Sequence, residues 1–111
     1  MAAAVVFTPV VWPCHAPRTT VADGVWREFT IPPAGDELAV VNIGAVYISF
    51  DQDLVDGATV DTTVPGDAYE TAVAGAGPTY PIGQTARATK VFIAGNGAAT
   101  EVCVTMTRGK D

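Results

Sequence analysis

The chain reads as an all-β protein, a β-sandwich or jelly roll with an extended N-terminal arm. Three observations predict this. Short runs of β-branched and aromatic residues are joined by loops bearing Asn and Gly: Leu38-Ala39-Val40-Val41, then Asn42-Ile43-Gly44-Ala45, then Val46-Tyr47-Ile48-Ser49-Phe50. Asn and Gly accept positive φ most readily, so such loops mark turns. No window keeps apolar residues at helical spacing, and eight Pro with eleven Gly interrupt the chain too often for long helices.

Taken in order, residues 1–17 read as an extended arm. The apolar run from Val5 to Trp12 is broken by Pro9 and closed by Pro13 and Pro17, and proline demotes a strand-like run to an edge strand or an arm. Its apolar residues Val5, Val6, Phe7, Val10, Val11 and Trp12 are the candidate interface, since a regular central strand cannot hide them. Residues 18–111 read as a single sandwich domain. Within it Val25 to Ile31 is a strand ended by Pro32-Pro33. Leu38 to Ile43 is apolar almost throughout, the mark of a central strand covered on both faces. Val46, Ile48 and Phe50 alternate with Tyr47, Ser49 and Asp51, so one face of that strand points to a core.

Residues 51–58 form an acidic loop, and Thr59 to Val64 a short strand. Pro65-Gly66 turns into a strand from Asp67 to Val73, and residues 74–78 read as a surface loop. Last, Thr85 to Ala94 and Ala98 to Thr107 flank Gly95-Asn96-Gly97, which reads as a hairpin because Asn-Gly is its strongest short-range signal. Val102, Val104 and Met106 face one way along the last strand. Glu101, Cys103, Thr105 and Thr107 face the other.

A length of 111 residues suits one domain, with a folded surface of roughly 5,800 Å². Hydrophobic residues are 49% and charged residues 16%, against about 25% charged in an average domain. Either the core is generous or part of the exterior is buried against a partner. The net charge of −6, with six basic residues scattered along the chain, argues against nucleic acid, whose backbone calls for clustered Lys and Arg. No apolar stretch reaches the length of a membrane-spanning helix. The Met1–Pro9 segment lacks the positive start of a signal peptide, so we expect a chain made and kept in a cytoplasm until lysis. In that setting Cys14 and Cys103 are expected as reduced thiols.

Candidate chemistry is sparse. A serine triad would need His15, Ser49 and one particular Asp together, yet Ser49 sits mid-strand, where a nucleophile of that kind is rarely placed. Adjacency of Cys14 and His15 does not orient a thiolate–imidazole pair. Sulfur and imidazole ligands number three, one short of a structural zinc set. Asp51-Gln52-Asp53-Leu54-Val55-Asp56-Gly57 has an extra residue, and no closing Glu, relative to a calcium loop. Trp12, Trp26, Tyr47, Phe50, Tyr69 and Tyr80 could line a sugar platform, but aromatics at strand positions more often anchor a core or an interface. We therefore assign no catalytic, cofactor or metal residue and expect a protein that is not an enzyme.

The run Asn42-Ile43-Gly44-Ala45-Val46-Tyr47-Ile48-Ser49-Phe50 resembles a hairpin common in small β-sandwich virion proteins of tailed bacteriophages. The stretch Val91-Phe92-Ile93-Ala94-Gly95-Asn96-Gly97-Ala98-Ala99-Thr100-Glu101-Val102 is similar to the final hairpin of such proteins, and Pro65-Gly66-Asp67 to the turn leading their middle strand. The resemblance spans residues 36–108 in pattern, and residues 1–35 match no such pattern. It implies a virion structural protein, foremost a capsid decoration or cement protein, with the major capsid protein as partner. It also implies a homo-oligomer, a trimer by preference, assembled in the host cytoplasm without cofactor, nucleic acid or membrane. Alternatives are a head–tail joining or tail accessory protein, and a carbohydrate-binding or adhesion module.

Overall fold

The computed structural model describes residues 5, 13–31, 36–61, 69–82 and 89–107. These carry nine strands and no helix: β1 (Cys14–His15), β2 (Thr19–Val21), β3 (Arg27–Thr30), β4 (Glu37–Asn42), β5 (Val46–Ser49), β6 (Glu70–Ala72), β7 (Thr79–Pro81), β8 (Lys90–Gly95) and β9 (Thr100–Thr107). They form two antiparallel sheets. A five-stranded sheet runs β1-β9-β4-β7, with β2 also paired to β9, and a four-stranded sheet runs β3-β8-β5-β6. The all-β sandwich expected from the sequence is the observed architecture.

Alternation sets what each strand buries. Val102, Val104 and Met106 of β9 are buried, while Glu101, Cys103, Thr105 and Thr107 are partly exposed. Leu38 and Val40 of β4, Val46 and Ile48 of β5, and Val91 and Ile93 of β8 join them between the sheets, around a fully buried Phe29. Each such side chain stabilises the fold by roughly 1.5–3 kcal/mol relative to exposure. Phe50 and Tyr80 pack against this core and meet edge to face, with centroids 5.2 Å apart.

The two loops read as hairpins are not hairpins. β4 and β5 lie in different sheets, and so do β8 and β9. Each Asn/Gly loop is an arch that carries the chain across the sandwich. The reason lies in the strands. Val91, Phe92, Ile93 and Ala94 are all fully buried, so β8 must sit mid-sheet with both faces covered. β3 takes one of its edges and β5 the other, leaving none for β9, whose Val102–Thr107 stretch pairs instead with the whole of β4. The arches lie side by side. Asn96 donates its N–H to Ala45 O at 3.0 Å, and Gly44 its N–H to Thr100 Oγ1 at 2.8 Å. Asn-Gly still supplies the turn, for Gly97 has φ of 95°; the turn chemistry does not choose the sheet.

Residues expected in an arm outside the sandwich are partly inside it. Val5 is 7% exposed and belongs to the core. It bridges Phe29 in parallel, donating its N–H to Glu28 O and accepting from Thr30 N–H. Cys14 is buried opposite Met106, and Ala16 donates its N–H to Val104 O. Pro13 and Pro17 bracket a two-residue strand on a sheet edge, where proline is tolerated. Of residues 1–17, Val5, Cys14 and Ala16 thus pack into the sandwich core.

Candidate functional site

The two sheets differ on their outer faces. Over the four-stranded sheet the chain supplies its own cover. Residues 56–60 run beside the approach to β3: Trp26 N–H donates to Ala58 O at 2.7 Å, Gly57 N–H to Trp26 O at 2.8 Å, and Val60 N–H to Gly24 O at 2.8 Å. Asp56 Oδ1 accepts Glu28 N–H at 2.9 Å, and Arg27 reaches Asp56 at 4.0 Å. Leu54, Ala58, Val60, Tyr47 and Tyr69 then close over Trp26, Phe92 and Ala94. Gln52 secures the segment, accepting from the N–H groups of Thr89 and Lys90 at 3.2 Å and donating to Lys90 O at 2.8 Å.

No such cover lies over the five-stranded sheet among the described residues. At the centre of its outer face stand Ala39 and Val41 of β4 and Cys103 and Thr105 of β9, with Ile43 just past β4 and Glu37, Glu101 and Thr107 toward the ends. Val41 is 54% exposed and Ile43 59%. Val41 stands in register with Cys103, and Thr105 with both Ala39 and His15. His15 Nδ1 and Thr105 Oγ1 are hydrogen-bonded at 3.1 Å. At the rim, Arg18 pairs with Glu101.

Asn42 organises the end of this face. It is buried, and its Nδ2 donates to Gly44 O at 2.9 Å and Val73 O at 2.8 Å, while its Oδ1 accepts Gly77 N–H at 3.1 Å. That hub draws the 73–77 loop against the first arch and sets Val73, 73% exposed, beside the end of β4. Three bare apolar side chains thus flank one buried amide.

The groups weighed for chemistry are kept apart. Cys14 points into the core and His15 out of it, as neighbours on a strand must. Burial pushes the Cys14 thiol up from its ordinary pKa. Cys103 lies on the outer face of the same sheet, so the sheet itself separates the two thiols. Ser49 is buried in the other sheet, where its Oγ accepts Asp51 N–H at 3.1 Å. Asp51 Oδ1 caps Asp53 N–H at 3.0 Å, a turn role. Among the described residues no three His, Cys, Asp or Glu side chains gather to hold a metal ion.

The aromatics face one another. Tyr47 meets Trp26 and Tyr69 edge to face, with centroids at 6.5 and 5.2 Å. Tyr80 OH donates to Glu70 Oε1 at 3.1 Å, tying the edges of the two sheets. Burial first, and then the Glu70 carboxylate, push the Tyr80 phenol up to about 12. Of the predicted interface residues, Val5 is a core side chain; Val6, Phe7, Val10, Val11 and Trp12 lie outside the described residues. Val41 and Ile43 were visible in the sequence only as half of an apolar run. Comparison with protein-family models, curated proteins and solved structures finds no match to this chain.

Proposed function

We propose that the chain is a non-catalytic structural component of a tailed-phage virion, a decoration or cement protein seated as a homo-oligomer on the major capsid protein. The observation that carries this reading is the strand order. With β1 and β2 taken as two halves of one strand along β9, the sheets run β1/β2-β9-β4-β7 and β3-β8-β5-β6. Eight strands in that order among the described residues, crossing repeatedly between sheets, support reading the sandwich as a double Greek key jelly roll, an architecture that viral capsid and lectin domains both use.

Fold alone does not choose between those uses, so the surface must. A sugar platform presents a free aromatic ring. Here the described aromatic side chains are buried or half-buried, and the large exposed apolar side chains among the described residues are Val41, Ile43, Val55 and Val73. Aliphatic and uncharged at its centre, the open face suits a protein partner better than a glycan. A closed trimer would match the local three-fold positions of an icosahedral shell, and contacts repeated over its subunits would add avidity. Such a protein assembles in the host cytoplasm and resides in the virion.

Quantitative mass spectrometry of purified particles tests the proposal. A decoration protein is present on the order of hundreds of copies per particle, as shell symmetry requires. A dozen copies or fewer would move the chain to the head–tail or tail axis. Absence from the particle, with binding to a glycan array, would replace the reading by the adhesion alternative.

A further inference from the structure

Acidic groups are unevenly placed among the described residues. Asp51, Asp53, Asp56 and Asp61 lie in the segment beside the four-stranded sheet, and Glu28 and Glu70 within that sheet. On the five-stranded sheet, Asp36 and Glu37 sit together at one end of β4, away from the centre of the face, and Glu101 is neutralised by Arg18. The centre of its outer face (Ala39, Val41, Ile43, Cys103 and Thr105) carries no charge. Two bodies that each carry −6 repel, and they meet most easily where carboxylates are withdrawn.

Size and patterning agree. The eight residues of β9, at about 3.4 Å each, and four strand positions, at about 4.8 Å, give a face of roughly 500 Å² in plan. Side-chain relief raises its accessible area toward the ~800 Å² that each partner of a stable interface buries. β4 is patterned like β8, apolar on both faces. β8 receives both covers from its own chain, whereas Val41 and Ile43 of the β4 run receive none among the described residues.

We infer that copies of this chain associate through the outer face of the five-stranded sheet, burying Val41 and Ile43 with Cys103 close to the symmetry axis. This rests on the homo-oligomer of the proposed function and gives it a two-fold contact face, one that closes as a dimer rather than a trimer. It is tested on the purified chain without particles, so its failure and that of the virion reading are separate results.

Light scattering on the eluting full chain measures its mass. At about 100 µM, where association with a Kd near 10 µM is well populated, the wild type is expected at two chain masses, because a face packed on its own copy closes about a two-fold axis. The Val41→Asp/Ile43→Asp variant is expected at one, with an unchanged far-ultraviolet circular dichroism spectrum. Val55→Asp, altering an exposed apolar residue on the covered side, should leave the mass as in wild type. If the paired aspartates disturb folding, Val41→Thr/Ile43→Thr keeps the β-branching and should still show at least a tenfold weaker association.

Sheets packed face to face lie about 10 Å apart, which holds opposed Cys103 thiols beyond disulfide reach but within a short bismaleimide. That reagent should link two chains in the wild type and none in Cys103→Ser. A wild-type chain that stays monomeric throughout overturns the inference. So does an oligomer that survives both face variants, because its contact then lies elsewhere.

Discussion

Replacing Asn42 gives the sharpest test of how the arches are held. Its carboxamide is 1% exposed and makes three hydrogen bonds, two donated to carbonyls and one accepted from an N–H. The amide orientation follows from its partners, since only the nitrogen can serve two carbonyls. Each bond contributes about 1 kcal/mol net, and Asn42→Ala also leaves part-buried groups unpaired, so a loss of about 3 kcal/mol follows. Total stability for a domain of this size is roughly 5–15 kcal/mol. At about 4–5 °C per kcal/mol, the midpoint should fall by roughly 12–15 °C in calorimetry.

Asn42→Asp separates hydrogen bonding from packing. The carboxyl keeps an acceptor for Gly77 N–H but turns a second oxygen on the carbonyls of Gly44 and Val73. Its ionised form is therefore disfavoured in the native state, and its native pKa lies above the unfolded ~3.9. A group whose pKa is raised on folding supports stability below its unfolded pKa, and that support is lost as pH rises through the folded value. The stability deficit of Asn42→Asp against wild type should be smallest near pH 4 and grow toward pH 7, while that of Asn42→Ala stays constant. Urea unfolding across that range measures both. A loss below about 1 kcal/mol in Asn42→Ala, or parallel pH profiles for the two variants, would refute the hub as described.

Three further outcomes are expected. Gly97→Val should cost about 1–3 kcal/mol through its φ of 95° alone, since a Cβ there meets nothing within 4 Å; Gly95→Ala should cost a similar amount by overpacking, because its Cβ would run into the Ala98 carbonyl. Thermal melts of both, with Gly97→Asn as the tolerated control, separate strain from contact. Alkaline titration of ultraviolet absorbance should show Tyr80 ionising near 12; because its folded pKa exceeds the unfolded ~10, that stabilisation is intact below pH ~10 and lost as pH rises through 12, and Tyr80→Phe should remove this alkaline loss. Thiol alkylation followed by mass spectrometry should add one label to native protein in dilute, monomeric solution, at half-exposed Cys103, and a second at buried Cys14 only after denaturation; two rapid native labels would contradict the packing of β1 on β9.

Local pattern carried much of the fold. The period-two alternation of Val102, Val104 and Met106, the β-branched run of β4 and the Gly97 turn are each legible from a few neighbouring residues, because a strand's faces follow from its own backbone. The sheet each strand joins is not legible this way. Asn96-Gly97 can close a hairpin or an arch, and what decides is that β3 and β5, distant in sequence, already hold both edges of β8. The candidate surface was half legible for the same reason. The apolar run of β4 announced two faces to cover, but only the packed sandwich leaves Val41 and Ile43 bare while the 51–61 segment covers Phe92. Val5, read as surface, is core because Phe29 and Thr30 offer it an edge that no neighbouring residue could reveal. Sequence determines what each segment must bury; competition among distant segments for the same edges and faces determines where it is buried.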